Sequence, residues 1–238
     1  MSADRPFDRR GYAAVFAPAR GGMRQAPAAL HGRQAGANIG RMEPIVYIYA
    51  DESCLGNQYK DRDSPGGAGA LVELWRKEAW VRRDHWLSAP GTTNNRMALT
   101  GAADVLRLLK RPSRVIFTSD SQYLVKGMRE WVRGWVARGW RRKTGEVENR
   151  ELWQALLAAA GPHRIDWRWV RGHAGHPQNE YANHLATRAA ADQTQSGGLV
   201  GSGYGAWLEE EREKGRYLEV YEFQAPPEER FDPAALPG

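Results

Sequence analysis

Two aspartates follow short apolar runs of the chain, and carboxylates placed in this way can bind divalent cations. Asp51 ends the run that starts at Ile45, and Asp120 ends the run that starts at Arg114. Such runs predict buried strands, and catalytic groups gather at strand ends in open α/β sheets. If the two strands are neighbours, the carboxylates repel each other, and Mg²⁺ would relieve that repulsion because it prefers oxygen ligands. Taken singly, either aspartate could instead cap the turn that follows its strand.

A histidine after the last apolar run adds a group that could transfer protons. His173 lies in the sequence Gly-His-Ala-Gly-His-Pro at residues 172–177. Imidazole titrates near neutral pH and can therefore move a proton beside metal-bound carboxylates. A loop histidine is more often structural or simply exposed, and we expect His176 to be structural. Paired metals held by carboxylates can activate water for phosphodiester cleavage, which points to nucleic acid as the substrate class.

The pattern along the chain predicts a mixed sheet covered by helices. Three strands come first, and helices then alternate with strands, an order typical of α/β and α+β folds. The predicted strands span residues 45–51, 67–75, 79–87, 114–120 and 165–171. The predicted helices span residues 92–110, 121–138, 148–160 and 179–192. Further on, residues 207–214 predict a helix and residues 217–223 a strand, which we expect to pack on this core or on another subunit.

Charge divides the chain into three parts. The net charge is +6, and residues 1–41 contain seven arginines and two aspartates. Residues 192–238 contain ten acidic and four basic residues, which leaves +7 on the segment between these two parts. A basic domain attracts polyanions, of which nucleic acid is the commonest, although an ordinary basic surface is the alternative. The acidic segment could fold over the basic domain and compete with nucleic acid, or it could be a solvated tail.

The same shifts in composition predict three regions. Residues 1–42 form a basic extension that we expect to be disordered, with a transit peptide or a true start at Met42 as alternatives. Residues 43–192 form the predicted domain, and residues 193–238 form a Gly/Ser linker with an acidic extension. The single cysteine, Cys54, and the lack of an apolar run near the ~20 residues of a membrane span favour a cytoplasmic protein without a secretory signal. We expect it to be a monomer.

A basic and aromatic segment could contact nucleic acid directly. Its members are Lys126, Arg129, Trp131, Arg133, Trp135, Arg138, Trp140, Arg141, Arg142 and Lys143. Lys and Arg neutralise phosphates, and aromatic faces pack against sugars or bases. Because Trp131 and Trp135 are four residues apart, the tryptophans could also form the core-facing stripe of a helix.

Five segments, in this order, resemble the bacterial type-1 ribonuclease H (ribonuclease HI) family. They are residues 49–57 (YADESCLGN), 66–70 (GGAGA), 92–97 (TTNNRM), 118–123 (TSDSQY) and 170–177 (VRGHAGHP). The resemblance covers residues 45–191 and implies a ribonuclease H-like five-stranded mixed sheet flanked by helices. It also implies endonucleolytic cleavage of the RNA strand of RNA–DNA hybrids, dependent on Mg²⁺ or on Mn²⁺. The segments Asn-Asn-Arg-Met at 94–97 and Gly-His-Ala-Gly-His-Pro at 172–177 argue against an integrase or a junction resolvase, the other nucleases considered for this fold.

The resemblance implies four metal-binding acids, and two of those positions are not acidic here. Asp51 and Asp120 match the first and third acids, whereas Ala98 and Asn183 stand at the second and fourth positions. Asn183 keeps an oxygen that can ligate a metal weakly, but Ala98 has no ligating atom. We therefore predict that Glu52 is a replacement metal ligand. Strand alternation sends Glu52 to the face opposite Asp51, so this prediction relies on a bulge or turn at the strand end.

The resemblance also implies which side chains bind the hybrid. They are Asn57, Thr93, Asn94, Asn95, Gln122, Lys126, Trp131, Arg133 and Trp135. Thr93 and Trp135 match a pocket for a DNA phosphate, whereas Asn94, Asn95 and Gln122 match minor-groove contacts, where the 2′-hydroxyl identifies RNA. The implied catalytic residues are Asp51, Asp120, His173 and Asn183.

The sequence supports two functions of different kinds. The first is metal-dependent hydrolysis of the RNA strand of RNA–DNA hybrids. The second is hybrid binding by a catalytically impaired relative, because the substrate-binding positions are intact while two of the four acids are missing. Cleavage assays with Ala98→Glu and Asn183→Asp variants would distinguish them.

Overall fold

A mixed β-sheet organises the residues that this computed structural model describes, which are 44–56, 64–142, 144–220, 225–226 and 230–237. The strands are β1 (Ile45–Cys54), β2 (Ser64–Arg76), β3 (Ala79–Thr92), β4 (Arg114–Ser119), β5 (Arg141–Arg142), β6 (Gly145–Glu146), β7 (Arg164–Trp169) and β8 (Val200–Gly201). Six of them form one sheet in the order β7-β4-β1-β2-β3-β8, and β5 and β6 form a separate hairpin. The strands β1, β4 and β7 are parallel, whereas β2 and β3 are antiparallel to their neighbours. The predicted mixed-sheet fold is confirmed, with the short β8 as a sixth strand beyond the expected five.

Helices surround this sheet. They are α1 (Asn94–Arg107), α2 (Gln122–Lys126), α3 (Val132–Ala137), α4 (Arg150–Ala160), α5 (Pro177–Asp192) and α6 (Tyr204–Glu213). The single helix predicted for residues 121–138 is instead divided by a π-helical turn, Gly127–Trp131. Among the described residues, the helices are too short or too polar to span a membrane.

Alternation along β2 assigns the two faces of the sheet to different helices. Gly69 faces α5, because a Cβ at this position would lie 2.4 Å from the carbonyl oxygen of Ala182. Ala68 faces α1, because its Cβ lies 2.5 Å from where a Cβ on Gly101 would stand. Only a residue without a side chain lets α5 approach β2 this closely. Side chains of β1 follow the same alternation, since residues directly opposite each other point to the same face.

The chain after α5 first packs beside β3 and on α5. Ser196 Oγ lies 2.9 Å from His85 Nδ1, and β8 then pairs with β3. In α6, Tyr204 and Leu208 are fully buried and contact Tyr181 in the same hydrophobic cluster. This segment therefore extends the hydrophobic core around α5.

The end of the chain covers the opposite edge of the sheet. The Ala234 N–H donates to the Ile165 carbonyl of β7 over 3.0 Å, and the Asp232 N–H donates to Asp166 Oδ2 over 3.2 Å. The ring of Phe231 lies 4.6 Å from the Arg114 guanidinium. An edge strand exposes backbone groups that can pair with other chains, and this segment occupies part of that edge.

The strand predicted for residues 217–223 is wrong in its described part. Residues 217–220 form a turn in which the Val220 N–H donates to the Tyr217 carbonyl over 3.1 Å. Tyr217 has a φ of 55°, and this left-handed conformation ends extended backbone. Residues 221–223 lie outside the described residues, as does the basic extension predicted for residues 1–42. The helix predicted for residues 207–214 is α6, which begins earlier.

Deleting residues 196–238 should destabilise the protein. The deletion removes two fully buried side chains, Tyr204 and Leu208, and burying a side chain of this size contributes roughly 1.5–3 kcal/mol. We expect the melting temperature to fall by about 10 °C or more for a domain of this size, measured by circular dichroism. Leu218→Ala is the control, because Leu218 is exposed and its truncation should leave the melting temperature unchanged. An unchanged melting temperature for the deletion would show that these contacts do not contribute to stability.

Candidate active site

Three carboxylates converge where β1 and β4 end. The two strands are parallel and in register up to the pair Ala50–Ser119, so Asp51 and Asp120 come next at the same edge of the sheet. Glu52 follows, and its N–H donates to Asp51 Oδ1 over 2.7 Å. One carboxylate oxygen from each of Asp51, Glu52 and Asp120 lies within 4.8 Å of the other two.

Glu52 reaches this cluster without a bulge. The pairing of β1 with β2 continues unbroken past Glu52, which lies opposite Ala68 on the face covered by α1. The expectation that a bulge would be needed is therefore wrong. Alternation along β1 does point Glu52 to the opposite face of the sheet from Asp51. That opposite face is covered by α1, and Ala98 lies there. Glu52, Ala68 and Ala98 line one small pocket together with Asp51.

Burial and mutual repulsion shape the electrostatics of the cluster. Burial raises the pKa of Asp51, and the neighbouring charges of Asp120 and Glu52 raise it further. Burial and the charge of Asp120 raise the pKa of Glu52 to about 8, although a hydrogen bond with Ser121 opposes this shift. Burial likewise raises the pKa of Asp120. Each carboxylate is therefore harder to ionise than in water, and a nearby cation would offset that cost.

The donor set of the cluster fits a hard divalent cation. Asp51, Glu52 and Asp120 offer oxygen atoms only, which Mg²⁺ and Mn²⁺ accept and which soft metals do not favour. The three carboxylates would carry a formal charge of −3 when ionised, which restores one of the two charges lost at Ala98 and Asn183. These residues could therefore hold a divalent cation at the ends of β1 and β4.

Helix α5 supplies amide side chains to the same edge. Asn179 is buried, and its Nδ2 donates to Asp51 Oδ2 over 3.3 Å. Asn183 follows one turn later on the same side of α5 and is half-buried. The sequence interpretation missed Asn179, although its spacing of four residues from Asn183 was a usable signal. Asn179 holds the Asp51 carboxylate on the α5 face.

The loop after β7 encloses Asp120 from the other side. A Cβ on Gly172 would lie 2.3 Å from Asp120 Oδ2, so only glycine allows this close approach. His173 has a φ of 52°, and its Nδ1 lies 3.5 Å from Glu180 Oε2. The His173 side chain is 77% exposed, and its charge lowers the pKa of Asp120 when it is protonated. His173 is thus placed to exchange protons with solvent beside the cluster.

Comparison with known proteins identifies the family. A protein-family model described as RNase H matches residues 43–191, more than half of the chain. The chain belongs to the RNase H family. Ribonuclease HI of Caulobacter vibrioides is 49% identical over 148 residues, which span 61% of this chain and 92% of that relative. Ribonuclease H of Pelobacter propionicus is 47% identical over 148 residues, which span 62% of this chain and 85% of the relative. The predicted membership of the bacterial type-1 ribonuclease H family is confirmed.

A solved structure of the same family also resembles this chain. It is the crystal structure of LC9-RNase H1, described as a type 1 RNase H with the type 2 active-site motif. The two chains are 48% identical, and they superpose with a TM-score of 0.74 over 84% of this chain and 96% of the other. The mixed sheet and its flanking helices are therefore those of the RNase H family.

The residues predicted to contact nucleic acid lie mainly on the surface beside α1 and α2. Asn95, Gln122, Lys126 and Arg133 are exposed. Thr93 caps α1, because its Oγ1 accepts a hydrogen bond from the Arg96 N–H over 3.4 Å. Asn94 is half-buried, and its Oδ1 has no hydrogen-bond partner among the described residues. Asn57 and Lys143 lie outside the described residues.

The tryptophans of the basic segment contact the hydrophobic core. Trp131 and Trp135 are half-buried with ring centroids 5.7 Å apart, and the Trp135 ring lies 5.4 Å from that of Trp153. Trp140 is buried in the main hydrophobic cluster. The alternative interpretation, in which these tryptophans form a core-facing stripe, therefore holds for the parts of their rings that are buried. The basic residues of the same segment remain on the surface.

Glu52→Gln should stabilise the metal-free protein at pH 8 but not at pH 5. Because the pKa of Glu52 is raised in the folded protein, the protonated Glu52 carboxyl favours folding. This contribution to the free energy of unfolding is fully present below the ordinary pKa of glutamate and is lost as the pH rises through about 8. Glutamine stays neutral and avoids this loss. Because Glu52 is only partly buried and solvent screens its charge, we expect a gain of only about 1 kcal/mol, or roughly 2–4 °C in melting temperature.

Differential scanning calorimetry in EDTA measures this difference in melting temperature. In a separate measurement without EDTA, Mg²⁺ should raise the melting temperature of the unsubstituted protein more than that of the Glu52→Gln variant. Glu78→Gln is a matched control, because Glu78 is exposed in the turn between β2 and β3. Equal melting curves for the protein and its Glu52→Gln variant at pH 8 would contradict repulsion within the cluster.

Proposed function

We propose that this protein hydrolyses the RNA strand of RNA–DNA hybrids, with Mg²⁺ or Mn²⁺ held by Asp51, Glu52 and Asp120. The observation that carries the proposal is the convergence of these three carboxylates, with one oxygen of each within 4.8 Å of the others. The relatives from Caulobacter vibrioides and Pelobacter propionicus are a ribonuclease HI and a ribonuclease H. Their activity supports the same reaction class here.

Glu52 is the residue that makes metal-dependent catalysis consistent with alanine at position 98. Both residues line one pocket on the α1 face of the sheet, so a carboxylate on β1 can occupy space that a longer side chain on α1 would otherwise enter. LC9-RNase H1, at 48% identity, is described as combining a type 1 fold with a different active-site motif. That description supports a rearranged set of acids on this fold.

The remaining site residues position groups and move protons. Bound cations would supply an activated water and stabilise the leaving oxygen of the phosphodiester. Asn179 fixes one oxygen of Asp51 by its 3.3 Å hydrogen bond, and Gly172 leaves room for the Asp120 carboxylate. Asn183 offers a neutral oxygen on the same helix as Asn179. His173, exposed and next to Glu180, is placed to carry a proton between the cluster and solvent.

The hybrid would bind across the surface that leads to this cluster. The half-buried Asn94 Oδ1 lacks a hydrogen-bond partner among the described residues, and a nucleotide N–H or 2′-hydroxyl in the minor groove could satisfy it. Lys126 and Arg133 are exposed and can neutralise phosphates of the DNA strand. These contacts would orient the hybrid so that its RNA strand faces the carboxylates.

A hybrid-binding protein with impaired catalysis is the second candidate. The observation that favours it is the loss of carboxylates at Ala98 and Asn183, two positions that are acidic in the family pattern. Under this alternative the hybrid binds, but the site holds its cations too weakly for cleavage.

Cleavage of a labelled RNA–DNA hybrid in Mg²⁺ and in Mn²⁺ separates these candidates. We expect the unsubstituted protein to cut the RNA strand and Glu52→Gln to lower kcat by about 100-fold or more, because losing a ligand should cost at least as much as losing a partner that orients one. Adding Ala98→Glu to that variant should recover part of the rate, since it returns a carboxylate to the same pocket. Glu78→Gln, an exposed control, should cleave normally.

Full activity of Glu52→Gln would refute the assignment of Glu52 as a ligand. Binding without cleavage by the unsubstituted protein, together with cleavage by an Ala98→Glu, Asn183→Asp double variant, would establish the second candidate instead.

A further inference from the structure

A large aromatic side chain is exposed beside the carboxylate cluster. Among the described residues, the exposed large hydrophobic side chains are Val81, Trp169 and Leu218, and Trp169 is 48% exposed. Trp169 is the last residue of β7, whose residues Ile165 and Trp167 are buried. A tryptophan left in water at a functional edge commonly marks a contact surface, because it gains most when a ligand covers it.

The ring of Trp169 is fixed in this position. Trp169 pairs with Ser119 across β7 and β4, and its indole Nε1–H donates to the Asp120 carbonyl oxygen over 3.0 Å. The Val170 N–H donates to the Ser119 carbonyl over 3.2 Å and continues the pairing. Because the only polar atom of the indole is used by Asp120, the part that solvent reaches is apolar ring surface. The ring is therefore held against the backbone of Asp120, a residue of the carboxylate cluster.

Two exposed nitrogen-bearing side chains follow this ring on the same segment. Arg171 and His173 are exposed at the second and fourth positions after Trp169, while Val170 and Gly172 between them are half-buried. The segment thus presents an aromatic surface and a guanidinium toward solvent at the border of the acidic cluster. Aromatic faces next to cationic groups suit a nucleotide, which has a flat base, a sugar and a phosphate.

We propose that the exposed ring of Trp169 stacks against the base or sugar of a nucleotide adjoining the phosphate that enters the carboxylate cluster, while Arg171 faces that nucleotide's phosphate. This inference rests on the proposed function, since it takes a nucleic-acid strand as the ligand. Stacking of this kind tolerates any base, because every base has an aromatic face. Trp169 therefore adds affinity without sequence preference.

Two substitutions separate the ring surface from the indole hydrogen bond. Trp169→Phe keeps an aromatic face and loses the bond to Asp120, whereas Trp169→Ala loses both. Hybrid affinity is measured by fluorescence anisotropy in EDTA with a short fluorescein-labelled RNA–DNA hybrid, and KM and kcat are measured in Mg²⁺. We expect Trp169→Ala to raise Kd and KM by about tenfold with a much smaller change in kcat. Trp169→Phe should bind within about twofold of the unsubstituted protein.

A fluorescent base gives a direct signal of stacking. With 2-aminopurine in the RNA strand next to the cleaved phosphate, the unsubstituted protein should quench its fluorescence, and Trp169→Ala should not. Trp80→Ala is the control, because Trp80 contacts Tyr47 near the start of β1 and lies at the other end of that strand from Asp51. Melting curves of all variants confirm that they fold.

The outcomes distinguish this inference from the proposed function. Equal affinity of Trp169→Ala and the unsubstituted protein, or equal losses of kcat in both Trp169 variants with unchanged Kd, would overturn the stacking role. Binding without cleavage by the unsubstituted protein would overturn the proposed catalysis, while the Kd comparison would still decide the role of Trp169. Absence of hybrid binding by the unsubstituted protein would overturn both.

Discussion

Three carboxylates meet at one edge of the sheet and repel one another, and the elements around them hold them together. The parallel register of β1 and β4 places Asp51 beside Asp120, and the next residue, Glu52, brings a third carboxylate within 4.8 Å of both. Burial raises the pKa of each group and makes their ionisation costly without a cation. The folded chain must therefore hold these groups against their own repulsion.

Both faces of the sheet contribute to holding them. On one face, Gly69 lets α5 approach β2, which brings Asn179 within hydrogen-bonding distance of Asp51. On the other face, Glu52 shares a pocket with Ala98 of α1. The loop after β7 closes the third side, where Gly172 lies against Asp120. The small residues around the cluster are thus as much a part of the site as the acids, because they allow the backbone to come close.

The sequence could predict the parts of this site that follow from strand periodicity. Two apolar runs that each end in aspartate predict neighbouring strand ends, and the structure places Asp51 and Asp120 there. Alternation also predicted the face of Glu52, but the sequence pattern alone did not show that α1 covers that face, so a bulge was wrongly expected. The spacing of Asn179 from Asn183 places both on one side of α5, but the sequence does not show that this side meets Asp51, because the contact joins residues 128 positions apart. The strand expected at 217–223 failed because Tyr217 adopts a positive φ, which apolar patterning does not reveal.

A crystal structure with Mn²⁺ would show whether Glu52 ligates a metal in place of an acid at position 98. Anomalous scattering locates the ion without reference to activity. We expect a Mn²⁺ peak within about 2.0–2.6 Å of oxygens of Asp51, Glu52 and Asp120, the range that spans Mg²⁺ and Ca²⁺ contacts. A peak held by Asp51 and Asp120 with the Glu52 carboxylate turned away, or no peak at this edge, would contradict it.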